Sequence, residues 1–158
     1  MSLRKFLKRT KDEVIKTITA AAAVLAFYAA VFPLTAVAQE ERVTLTTGDG
    51  WNLGARYLKA AEAAPTVVLI HTQKSALNEW KSWFKPMERY GFGYLAMDLR
   101  GHGSSFVKPD GSTTTWRAFS TDGSDNEYNR MTRDVEAALA YLSTHSVTAE
   151  STALAGSV

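Results

Sequence analysis

The chemistry-bearing residues of this chain stand just after short apolar runs. His71-Thr72-Gln73 follows the run Thr66 to Ile70, the segment Asp98 to Ser105 (DLRGHGSS) follows Tyr94 to Met97, and the small-residue stretch STALAGSV, residues 151–158, ends in Gly156, Ser157 and Val158. A serine hydroxyl exposed on a sharp turn can attack a carbonyl carbon when a neighbouring base takes its proton. The chain has no cysteine, which excludes a thiolate nucleophile, a thiolate metal site and a disulfide framework. Whether Ser157 stands at the edge of such a turn depends on the elements behind it.

Those elements are legible from periodicity. Arg42 to Thr46 and Trp51 to Leu58 alternate polar and apolar residues around Gly48-Asp49-Gly50, which predicts an antiparallel hairpin. Thr66 to Ile70, introduced by Pro65, is a continuous β-branched run suited to a parallel strand covered on both faces. Trp80, Trp83, Phe84, Met87 and Tyr90 follow helical spacing, with Pro86 expected to break this helix or start its last segment. Tyr94 to Met97 is a second buried run. Ser104 to Ser124 is rich in Gly, Ser, Thr, Asp and Pro, a long loop whose Trp116 can line a cleft or pack on the domain. Met131, Val135, Leu139 and Leu142 define one face of a helix, with Asp125, Asn126 or Asn129 as caps, and Thr152 to Ala155 is a last strand.

Hairpin, strand, helix, strand, loop, helix, strand is the pattern of an α/β domain with helices on both faces of its sheet. Ligands of such sheets bind beyond the carboxyl ends of the strands, which singles out the residues after Ile70, Met97 and Ala155. The 158 residues, 46% hydrophobic and 22% charged, suit one globular domain. The formal charge of +2 conceals an asymmetry: residues 39–158 carry 12 basic and 14 acidic groups, a net charge of −2. No basic stripe interleaved with aromatics follows, so nucleic acid is not an expected partner.

The N-terminus has a basic start, an apolar stretch from Ile18 to about Leu34, and then Ala36-Val37-Ala38. Residues 1–38 have the form of a secretory signal, which places the remaining domain, 39–158, in the periplasm or outside the cell. The alternative is an uncleaved membrane anchor through residues 18–34, roughly the shortest apolar length that spans a bilayer. Pro33 and the A-x-A pattern favour cleavage after Ala38, and the membrane is a partner only if the segment stays.

The segments LIHTQKS, YLAMDLRGHGSS, RDVEAALAYL and TALAGSV, in this order and at these separations, resemble the N-terminal half of the α/β-hydrolase family. The nearest resemblance is to esterase-like members with a D-x-R-G-H-G-x-S motif, which Asp98, Arg100, Gly101, His102, Gly103 and Ser105 match position by position. The resemblance covers about residues 42–158. It implies an α/β fold whose mostly parallel sheet is entered through an antiparallel hairpin and stops after the fifth strand. It also implies hydrolysis of an ester or related acyl bond in a small-molecule substrate, by a serine nucleophile, without metal or organic cofactor. In the family the loop after the third strand supplies an oxyanion-hole N–H, and Gln73 stands in that place, although Thr72 departs from the family glycine. The family's triad histidine follows the last strand, so His102 is expected to build a tight turn, its glycines allowing backbone angles other residues avoid. His145, near a helix end, suits the helix dipole.

The family's nucleophile elbow is G-x-S-x-G between a strand and a helix. Two registers fit this chain. In the first, Gly156 opens the elbow and Val158 takes the nucleophile position, so the nucleophile is lost and a non-catalytic binding module results. In the second, Ala155 replaces the opening glycine and Ser157 is the nucleophile. Counting forward from the preceding helix favours the first. The acid and histidine of a triad would follow later strands and are absent, so the chain reads as an inactive fragment with its fifth strand a bare edge, expected to fold poorly by itself. Expression in a bacterium should yield an exported protein whose intact mass places Gln39 at the N-terminus. Recovery of residues 1–38 in the membrane fraction would establish the anchor instead.

Overall fold

The computed structural model describes residues 38–157. The leader expected from residue 1 and the elbow alternative at Val158 lie outside the described residues. Five strands, β1 (Glu41–Thr46), β2 (Asn52–Leu58), β3 (Thr66–Ile70), β4 (Gly93–Met97) and β5 (Thr152–Gly156), form one sheet in the order β1-β2-β4-β3-β5. Helix α1 (Lys81–Arg89) follows a 3-10 turn, Leu77–Trp80, and two helices, α2 (Glu127–Arg130) and α3 (Thr132–Thr144), lead towards β5.

The strand β4 is buried at all five positions, as its unbroken apolar sequence requires. Its side chains divide between two cores. Leu95 and Met97 join Leu45, Leu53, Val68, Ala138 and Leu142 on the α3 side, whereas Tyr94 and Ala96 join Leu58, Leu69, Leu77 and Phe84 on the α1 side. Each buried Leu or Phe contributes about 1.5–3 kcal/mol relative to exposure. The Phe84 and Tyr94 rings stack at 4.6 Å, fixing α1 over the sheet.

Three expectations are corrected. The sheet is mixed, not mostly parallel: β1–β2 and β2–β4 run antiparallel, while β4–β3 and β3–β5 run parallel. The antiparallel pairing of β2 with β4 is non-local, and alternation along β2 carries no record of its partner. Pro86 does not end α1, because both Pro86 and Ser82, whose carbonyl loses a hydrogen bond to the missing N–H, lie on the exposed side of the helix. Leu139, Trp83 and Tyr90 face outward at 41%, 59% and 74% exposure. On α3 the covered stripe instead runs through Met131, Val135, Ala138 and Leu142, at spacings of four, three and four.

The hairpin turn also delivers a charge. Thr47 accepts the N–H of Gly50 on its carbonyl and the N–H of Trp51 on its side chain. Asp49 is thereby held beside Arg100, whose guanidinium is fully buried. Burial pushes the Asp49 carboxyl up, but hydrogen bonds from Arg100 and Thr47 outweigh it and hold it well below the usual carboxylate range. A carboxyl that binds its proton less tightly when folded contributes fully above its unfolded pKa of about 4, and that contribution is lost as the pH falls further. Asp49→Asn should therefore lower stability by about 1–3 kcal/mol near neutral pH, with the deficit shrinking steadily below about pH 4. Urea unfolding of both proteins across pH would measure this, and a pH-independent deficit would remove the charge from the explanation.

Candidate active site

The turn after β4 is built on two buried side chains. Asp98 accepts the Leu77 N–H at 2.8 Å on one oxygen, and the Ser104 N–H and hydroxyl at 2.8 and 2.9 Å on the other. Both carboxylate oxygens are occupied inward. Gly103 lies against this carboxyl group with φ +48°, and a Cβ there would fall 2.2 Å from it, so the position needs glycine for space and for conformation. Ser105 donates its hydroxyl to the Asp98 carbonyl at 2.8 Å and accepts the Gly54 N–H at 3.0 Å, which ties the turn to β2.

Arg100 holds the other side. Its guanidinium contacts Asp134 at 2.7 Å, Asp49 at 2.8 Å and Glu127 at 2.9 Å, and its own N–H donates to Asp134 at 2.9 Å. The motif that sequence alone reads as a turn is thus a junction of the β1–β2 turn, α2 and α3. None of Asp49, Glu127 and Asp134 was legible as a partner of Arg100, since each lies 27 to 51 residues from it and their residue types are common on surfaces.

Beside this junction the loop after β3 is pinned through its histidine. The Nε2 of His71 accepts the Leu99 N–H at 3.1 Å, and its Nδ1–H donates to the Thr72 carbonyl at 2.7 Å. Burial pushes the His71 pKa down, opposed by the Thr72 carbonyl and reinforced by the nearby charge of His102. His71 is therefore a neutral strand-end residue with both nitrogens committed to the main chain. Thr72 donates its N–H and hydroxyl to Glu79 at 3.0 and 3.2 Å. The other oxygen of Glu79 accepts the hydroxyl of Ser157, whose N–H donates to the Ile70 carbonyl at 3.2 Å.

Glu79 thus draws the end of β5 and the loop after β3 into one place at the carboxyl ends of the parallel strands. Sequence reading passed over it, because a lone carboxylate in a polar loop carries no periodic signal. Gly156 is the last residue of β5, paired with Ile70, and Ser157 follows it. Gln73 is exposed. Its side chain donates to the Tyr128 hydroxyl at 3.0 Å, its carbonyl faces His102, and among the described residues its N–H has no acceptor. A polar cavity of about 320 Å³ opens beside it, lined by Gln73, Thr121, Gly123, Asn126, Tyr128 and Asn129. Trp116 lies flat on His102, with ring centroids 5.8 Å apart and planes at 5°, so it packs on the domain. His145 closes α3, its Nδ1–H donating to the Tyr141 carbonyl at 2.9 Å.

The arrangement holds a serine hydroxyl without activating it. The Ser157 hydroxyl, assisted by the Thr72 groups against the cost of burial, holds the Glu79 carboxyl below the usual range, and a carboxylate so stabilised is a poor proton acceptor. No histidine among the described residues reaches Ser157. The described residues also hold no cluster of three His, Asp or Glu side chains suited to a metal ion, and no helix long and apolar enough to cross a membrane.

No family model and no curated protein matches this chain. Solved structures do. The chain is similar to an esterase of Pyrococcus furiosus at 21% identity and a TM-score of 0.53, over 75% of this chain and 40% of that one. It is similar to an alpha/beta hydrolase of Penicillium sp. sh18 at 17% identity and a TM-score of 0.57, over 75% and 37% of the two chains. An esterase from Exiguobacterium antarcticum matches at 18% identity and a TM-score of 0.50, over 72% and 34%. These likenesses show the fold: the described residues form part of an α/β-hydrolase-like core. The chain spans 40% of the length of the Pyrococcus esterase.

Removal of the Ser157 hydroxyl tests the link at the centre of this site. In Ser157→Ala the Glu79 carboxyl loses its main stabilising donor, so its pKa should rise towards the ordinary glutamate value of about 4.3. Carboxyl-carbon NMR titration of Glu79 in both proteins reads this directly. An unchanged titration would show that the hydroxyl does not bond to Glu79.

Proposed function

We propose that this chain is the N-terminal part of an exported α/β-hydrolase that cleaves an ester or related acyl bond of a small molecule. Ser157 is its nucleophile, Gly156 opens the turn that carries it, and the Gln73 backbone N–H is an oxyanion donor. The supporting observation is that Glu79 gathers the Ser157 hydroxyl and the Thr72 N–H into one site, with the Gln73 N–H next in the chain and without an acceptor among the described residues. In the reaction the serine oxygen attacks the acyl carbon, and the carbonyl oxygen gains charge, which a fixed N–H stabilises. Before attack the hydroxyl must leave Glu79 for a stronger base, and the base and its orienting acid come from outside the described residues. The mechanism requires no metal or organic cofactor.

A second reading is a non-catalytic exported binding module of the same fold, with Val158 at the elbow position and Ser157 as a structural link. It is favoured by the bond from Ser157 to Glu79 in place of a histidine.

The 158-residue chain by itself should show no turnover of a short-chain aryl ester above buffer, because its serine lacks a base. When later strands supplying a base and an acid follow residue 158, Ser157→Ala should remove turnover by about 1000-fold or more. Gln73→Ala should stay within about tenfold of the parent, since the donor is main chain. Undiminished turnover in Ser157→Ala would assign the nucleophile elsewhere, and absence of turnover in every such protein would favour the binding module.

A further inference from the structure

His102 is 2% exposed, and both of its ring nitrogens face main-chain carbonyl oxygens. Nδ1 lies 2.9 Å from the Arg100 carbonyl and Nε2 lies 2.6 Å from the Gln73 carbonyl. A carbonyl oxygen only accepts, and a neutral imidazole has one N–H and one lone pair. With a neutral ring, one of these short contacts would set a lone pair against an oxygen. With an imidazolium, both are charge-assisted hydrogen bonds.

We propose that His102 is held as an imidazolium and acts as a two-ended clamp, a positioning residue that fastens the Gln73 peptide to the turn after β4. Loss of its proton releases one end. The Arg100 end is held independently, because the Gly101 N–H of the same peptide donates to the Ser105 carbonyl at 2.7 Å, so the loop carrying Gln73 is the end that moves. The Gln73 carbonyl lies in the peptide that joins Gln73 to Lys74, whereas the Gln73 N–H shares its peptide with the Thr72 carbonyl held by His71, so the two histidines fix the peptides on either side of Gln73. The bearing of this on an oxyanion rests on the function proposed above.

Burial disfavours a cation here, and the neighbouring groups act in both directions. The Trp116 ring lies parallel to the imidazole, and an aromatic face attracts a positive charge. Arg117 lies over the same Trp116 ring, with its guanidinium carbon 4.6 Å from the centroid, and opposes the imidazolium charge. The His71 ring centroid is 4.8 Å away and neutral, as its two main-chain bonds require. Asp98 and Glu79 are the carboxylates whose fields reach the neighbouring His71. Among the described residues, His71 is the one titratable side chain that stacks on or hydrogen-bonds to the His102 ring.

The test uses the 158-residue chain labelled with 15N and no substrate, so it can fail independently of any hydrolytic activity. At mildly acidic pH both ring nitrogens of His102 should carry hydrogens, whereas His71 should carry one, on Nδ1. As the pH rises through the loss of the second His102 proton, exchange protection of the Thr72 and Ser75 amides should fall about tenfold or more beyond the ordinary base catalysis of exchange. His102→Gln, which lacks donors on two opposite sides, should show the lowered protection at every pH while the Leu69 and Leu95 amides stay protected. If that variant does not fold, the titration of the parent chain decides alone. A singly protonated His102 at mildly acidic pH, or loop protection indifferent to the His102 titration, would overturn the clamp.

Discussion

A guanidinium taken fully out of water is the constraint on which the rest of this structure depends. Desolvating the Arg100 charge would cost several kcal/mol if it were left unpaired, so the fold must bring carboxylates to it. It brings three, from a hairpin turn, a short helix and a long helix, and sets the Trp51 ring beneath the group with its centroid 5.4 Å away. The planar fork matters as much as the charge, since its nitrogens reach partners in three directions at once. Lysine could offer the charge without that geometry.

Once Arg100 is fixed, the residues around it have little freedom. Asp98 precedes it and binds Leu77 and Ser104, Gly103 lies against that carboxyl group, and Ser105 returns to β2. His102 emerges between them, aimed at the loop after β3. The candidate site is therefore assembled from the protein interior outward, with buried polar groups satisfied first and the exposed Gln73 positioned last. Glu79 completes it from the other side by joining that loop to the end of β5.

Much of the frame was legible in the sequence. The β-branched run from Thr66 to Ile70 and the apolar run after Gly93 announce strands buried on both faces, and alternation about Gly48-Asp49-Gly50 announces the hairpin. The reading of His102 as part of a turn agrees with its hydrogen bonds. What stayed hidden was non-local. Nothing along β2 shows that it pairs with β4, and nothing in a single Asp or Glu shows that a buried arginine awaits it. Leu139 and Trp83 were misplaced because helical spacing marks several stripes, and only the packed sheet selects the covered one. Glu79 was invisible because its importance lies in partners 7 and 78 residues away.

The distances between partners along the chain carry a further meaning, in time. Asp49 and Arg100 are 51 residues apart, and Arg100 and Asp134 are 34 apart, so two long loops must close before the four charges can meet. Closing each loop loses chain entropy before any ion pair repays it. Charges brought together early, while water still fills the gap, attract each other only weakly. The network therefore gains its strength only after the sheet and α3 have come together and expelled the water, which makes it a latch that engages on a nearly finished fold and slows its opening, with little influence on how fast the chain first collapses.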